Sequence, residues 1–180
     1  MKTVINYIFR NSWWLKSKRP KVKTRFKIFD LIMEIAGVAA VISLWIFLMT
    51  SYSNLPDVIP FNFNTAGQAD GFDNKSKIFI LPVIATALFV VMTILSRFPH
   101  FFNYPVKITE NNAQFQYENM TRMLRLVKLS LVLVFGCIVF QTIRTATGNA
   151  DGLGVWLLPT TLAIIFIPVI YFAVKSFIYR

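Results

Sequence analysis

The feature that most constrains this chain is its division into four long blocks almost free of charge, 28–49, 78–95, 126–143 and 153–174. An α-helix rises ~1.5 Å per residue and bilayer hydrocarbon is ~30 Å thick, so roughly 20 apolar residues are needed to cross it. Within a bilayer each backbone N–H and C=O must be paired inside the protein, which leaves helices as the solution for blocks of this length. A soluble domain of 180 residues has enough chain for a good core, but does not gather its apolar residues into uninterrupted runs. Composition agrees, since only 15% of the residues are charged against roughly 25% in an average soluble domain. The sequence therefore predicts an all-α integral membrane protein with four transmembrane helices. Short connections between successive spans predict an antiparallel four-helix bundle.

A net charge of +11 would indicate a nucleic-acid partner in a soluble protein. Here the bases gather at span ends instead, and no nucleic-acid role is expected. Residues 1–27 carry nine Lys or Arg and no acid, and form a basic segment ahead of the membrane domain 28–180. Their apolar pieces are too short for a signal peptide. Trp13 and Trp14 beside this basic run fit an interfacial anchor attracted to anionic lipid. Arg97, Lys107, Arg122, Arg125 and Lys128 follow the second span, and Lys175 and Arg180 follow the fourth. The segment after span one holds only Lys75 and Lys77, and the turn after span three only Arg144. The bias of basic residues toward the cytoplasm then predicts both termini inside, with the segment between spans one and two outside.

That segment, Leu55 to Lys75, is rich in Asn, Asp, Gly and Pro. Pro56 and Pro60 fix φ, Gly67 and Gly71 permit positive φ, and the whole reads as ordered turns. Pro56, Asp57, Pro60, Asn62, Asn64, Gly67, Asp70, Gly71 and Lys75 are the candidate partner-binding residues. The oxygens of Asp57, Asn62, Asn64, Asp70 and Asp73 suit a hard cation, but their spacing is not that of a calcium loop. Asx side chains in turns usually bond their own backbone, and no metal is assigned.

The pattern Leu55-Pro56-Asp57-x-Ile59-Pro60, followed by Asn64, Gly67, Asp70-Gly71 and Lys75 after a first span, resembles a bacterial membrane domain of unknown function. That domain is found in the N-terminal part of SdpI-type immunity proteins, which protect producing cells from a secreted killing peptide and also act in signalling. The likeness covers about 30–95; the rest is similar only to short stand-alone members. It implies a multi-pass protein of the bacterial inner membrane whose outer loop binds a peptide or protein in immunity or envelope signalling. Members often have His two residues after the second Pro. Here Asn62 stands there, which removes that side chain as a metal or proton site.

Within the spans, Asp30 and Glu34 lie four residues apart on one helix face. Acids in a span are costly and point to function unless paired. At a helix end they can pair with Arg25, Lys27 or the Arg122, Arg125 and Lys128 cluster. With Gln141, Arg144 and an expected kink at Pro168, these acids define the alternative, a small transporter or ion-coupled carrier. Asp73 or Asn74 is the expected cap of the second span, and Thr109 that of a helix running into the third. Gly-rich phosphate loops, HExxH, GxSxG and Cys/His clusters are missing from the sequence, with Cys137 and His100 each alone. No cofactor and no enzymatic activity are expected.

Overall fold

A computed structural model describes residues 19–179. Four helices dominate it: α1 (Ile28–Tyr52), α2 (Ile80–Leu95), α3 (Ala113–Ala146) and α4 (Leu157–Ile178). A 3₁₀ turn, Lys75–Phe79, runs directly into α2. With that turn, all four are long and apolar enough to cross a membrane. Their large apolar side chains point mostly outward, including Ile35, Ile42, Val91, Phe140, Ile167 and Ile170. Such exposure is untenable in water and natural against lipid. The protein is a multi-pass membrane protein.

The helix α3 is central and packs against α1, α2 and α4, while α4 rests chiefly on α3. The indole of Trp45 on α1 donates to Thr86 Oγ1 on α2 at 3.0 Å. An apolar core of Leu44, Leu48, Leu55, Ile59, Ile78, Ala85, Val139 and Ile143 fills one end of the molecule. The basic N-terminal approach crosses the other end. There Tyr117 donates to the carbonyl of Pro20 at 3.0 Å, and Arg19 to those of His100 and Phe102.

The all-α expectation requires one correction. The segment between α1 and α2 is an antiparallel β-hairpin, β1 (Val58–Phe63) and β2 (Ala69–Asn74). Val58, Ile59, Phe61 and Phe63 supply β-favouring side chains, and Ile59 is fully buried against the helical core. The ladder is irregular between Pro60 and Phe63, where a proline without an N–H is tolerated.

Helix boundaries also differ from expectation. The third span, read as 126–143, is the second part of one 34-residue helix. Its start is Ala113, and Thr109 is not its cap: Asn112 folds back to accept from the Thr109 amide at 2.9 Å. The fourth helix starts at Leu157 rather than at 153, because residues 152–154 are committed to a contact with the hairpin. Asn74 does cap the turn before α2, accepting from the Ser76 amide at 2.9 Å. Trp13, Trp14 and Arg180 lie outside the described residues.

Candidate functional site

The hairpin explains most of the motif that precedes α2. Asp57 and Lys75 close its base: their side chains meet at 3.1 Å, and the Lys75 amide donates to the Asp57 carbonyl at 2.9 Å. Lys75 Nζ also reaches the Leu55 carbonyl at 3.3 Å and lies over the Tyr52 ring. Asn64 builds the tip. Its Oδ1 accepts from the amides of Ala66 and Gln68, each at 3.0 Å. Gly67, at φ 77°, completes the turn in the left-handed region that glycine favours. Asn62 packs its side chain over Gly71, where a Cβ would meet Nδ2 at 2.8 Å. Pro60 is buried, whereas Pro56 and Asp70 are exposed.

These contacts also bear on the cation-like oxygens. Asn64 Oδ1 is occupied by backbone amides, Asp57 by Lys75, and Asp73 by Lys77 and the Asn74 amide. The Lys77 hydrogen bond, helped by the Asn74 amide, holds the Asp73 carboxyl below the ordinary carboxylate range.

The hairpin tip is fastened to the α3–α4 connection. The Leu153 amide donates to the Gly67 carbonyl at 2.7 Å, and Gln68 bridges to Gly152. Gly152 has φ 145°, and a Cβ there would fall 2.1 Å from the Gly67 oxygen. Only glycine permits this approach. What remains facing outward is a strip on the hairpin: Asp70, Phe72 and Asn74 are exposed on alternate positions of β2, with Val58 opposite Asn74. Phe72 is 65% exposed.

The intramembrane acids sit toward the other end, in a buried ionic cluster. Asp30, 1% exposed, receives Arg125 Nη1 at 2.9 Å and caps α1 through the Lys27 amide at 2.9 Å. Glu34 receives Arg125 Nε at 3.0 Å and Lys128 Nζ at 2.5 Å. Lys128 also donates to Thr93 on α2 at 2.7 Å and stands 4.5 Å from the centre of the Phe89 ring. Arg122 extends the cluster to Glu118. Charge is thus met by charge across α1 and α3, as burial requires. Gln141 and Arg144 are not part of it. Arg144 lies sixteen residues beyond Lys128 on α3, about 24 Å at ~1.5 Å per residue.

A further set of polar groups gives no signal in the apolar pattern. Gln116 Nε2 donates to the carbonyls of Ser176 and Tyr179, each at 3.0 Å, and Asn119 Nδ2 to that of Phe172 at 2.8 Å. Ser130 Oγ donates to the Ile164 carbonyl at 3.3 Å. That carbonyl is the one left without an amide by Pro168, four residues on. All three donors lie on α3 and all their acceptors on or just past α4. A Pro in a candidate span was the available signal for such a partner, but not for its identity.

Residues 38–86 match the family described as a domain of unknown function (DUF1648). The match takes in much of α1, the whole hairpin and the first turns of α2. The chain is also 31% identical over 77 residues to a protein of Archaeoglobus fulgidus described as uncharacterized, an alignment covering 38% of this chain and 42% of that one. The chain thus spans less than half the length of this relative. No solved structure matches.

Proposed function

We propose that this is a non-enzymatic protein of the bacterial inner membrane that recognises a peptide or protein partner through its outer hairpin, in an SdpI-like role in immunity or envelope signalling. The observation that carries the reading is the exposed Phe72 and Val58 strip on a hairpin anchored at both ends. An immobilised aromatic on a rigid element loses little entropy on binding, the usual character of an interface anchor. Antiparallel packing with both termini cytoplasmic is the topology we assign, supported by the crowding of bases at the end away from the hairpin. Cysteine accessibility at residues 64 and 107 tests it: an outer label on the first and an inner label on the second is expected.

The functional test uses the full chain in a bacterium sensitive to secreted killing peptides. Protection or peptide capture by the wild type, lost on Phe72→Ser and on deletion of 55–75 but kept by Lys107→Gln, is the expected pattern. Equal behaviour of wild type and Phe72→Ser, with both proteins in the membrane, overturns the reading. The carrier alternative draws on the buried Glu34–Lys128 pair. Its remaining residues, Gln141 and Arg144, lie 13 and 16 residues beyond Lys128 on α3, roughly 20 and 24 Å along the helix at ~1.5 Å per residue. Flux into proteoliposomes that disappears with Glu34→Gln would favour it.

A further inference from the structure

Three span boundaries converge at the end of the molecule away from the hairpin, and each carries a cation. Lys27 immediately precedes α1, Arg122 lies one turn before the apolar part of α3, and Lys175 follows the apolar run of α4. They line one open cavity of about 500 Å³ whose other walls are apolar, among them Phe29, Leu126, Ile167 and Tyr171. Neither Lys27 nor Lys175 forms an ion pair among the described residues, whereas Arg122 is shared with Asp30 and Glu118. Among the described residues the buried Arg122 Nε has no hydrogen-bond acceptor and lies 3.5 Å from Asp30 Oδ1. Around the cavity and the adjoining cluster stand five cations, Lys27, Arg122, Arg125, Lys128 and Lys175. Three acids oppose them, Asp30, Glu34 and Glu118. The site therefore has positive charge at its rim, an apolar floor, and a position where helix ends meet the lipid headgroups.

We infer that this cavity between α1, α3 and α4 binds one anionic phospholipid, its phosphate between Lys27, Arg122 and Lys175 and an acyl chain along Phe29, Ile167 and Tyr171. Basic pockets between transmembrane helices suit such headgroups, and the apolar floor suits a lipid rather than a free phosphate. The site differs from any general attraction of the basic N-terminal segment to the bilayer surface, because it needs the side chains of three helices at once. It also supplies α4, which rests chiefly on α3, with an indirect link to α1.

The test is native mass spectrometry of the full chain released from mixed micelles of phosphatidylglycerol and phosphatidylcholine, with glycerol phosphate as a soluble competitor. One retained phosphatidylglycerol per chain is expected. The double variant Lys27→Gln/Lys175→Gln should weaken retention about thirtyfold, from about one decade and a half for two headgroup cations. Lys27→Arg/Lys175→Arg should keep it. Lys23→Gln/Lys107→Gln makes the same change in net charge elsewhere and should also keep it. Equal retention of both lipids, equal loss in the two Gln double variants, unchanged retention in Lys27→Gln/Lys175→Gln, or displacement by glycerol phosphate would each overturn the assignment.

Discussion

The Asp30 carboxylate and the Arg125 guanidinium meet at 2.9 Å in the interior of a helical membrane protein, joining the first turn of α1 to the middle of α3. Asp30 is at the same time the acceptor for the Lys27 amide. One carboxylate thus sets where α1 begins and which face of α3 it meets. Removing one member of such a buried pair leaves the other without a counter-charge. Arg125→Gln is expected to destabilise the protein in detergent by about 3 kcal/mol. The double variant Asp30→Asn/Arg125→Gln should recover part of that loss. Thermal unfolding of the four members of the cycle checks it.

Gly152→Ala should pry the hairpin tip from the α3–α4 connection, since the new methyl would fall 2.1 Å from the Gly67 carbonyl oxygen. The expected cost is about 2 kcal/mol, with faster amide exchange at Leu153 and Gln68. Gly148→Ala is the control. It also has positive φ, 74°, but open space around the added carbon. It should cost about 1 kcal/mol and leave Leu153 exchange unchanged.

The two ends of the hairpin should respond unequally. Asp57 is 89% exposed in its pair with Lys75, so Asp57→Asn should change stability by less than about 1 kcal/mol. Asn64→Ala removes an acceptor for two turn amides and should cost about 1–2 kcal/mol. Hydrogen exchange at Ala66 and Gln68 separates the two.

The hairpin should be insensitive to pH over the neutral range. Asp73 has its carboxyl pKa lowered in the folded protein by Lys77 and the Asn74 amide. A lowered folded value means that its contribution is fully present above the unfolded pKa of 3.8, and is lost as pH falls through the still lower folded value. Exchange rates in β2, corrected for intrinsic chemistry, should match at pH 8 and pH 5 and rise only below pH ~4. Asp73→Asn should remove that acid-side rise.

Ser130 and Pro168 should act as a pair. Ser130→Ala alone leaves the Ile164 carbonyl unserved and should cost about 0.6 kcal/mol, up to about 1.7. In a Pro168→Ala background residue 168 regains an amide for that carbonyl, and Ser130→Ala should then be nearly silent. A four-member unfolding cycle measures the difference.

The four helices were legible because lipid imposes a length and a polarity that few other environments demand, and blocks such as 78–95 meet both. Asp30 and Glu34 were legible as a pair through their four-residue spacing, and Arg125 and Lys128 were within the set of bases named for them. The hairpin was obscured because Pro60, Gly67 and Gly71 weigh toward turns, while the short strand signal of Val58, Ile59, Phe61 and Phe63 depends on burial against α3. The Gly67–Leu153 contact joins residues far apart in the chain, and no local pattern foretells it. Gln116 and Asn119 stand in the polar first turns of α3, ahead of its apolar block, where nothing in the sequence sets them apart. Their role exists only because the last turns of α4 and the residue just past it bring carbonyls beside them, those of Ser176 and Tyr179 beyond the reach of the helix ladder.

The break that Pro168 makes in the α4 ladder has a positional consequence. A smooth apolar helix lying on another has many nearly equivalent depths, since lipid solvates each of them alike. Here one carbonyl of α4 is satisfied at the single height where it faces the Ser130 hydroxyl. A slip of one turn would strand it in hydrocarbon. The proline thus serves as a notch that indexes the vertical setting of the last helix.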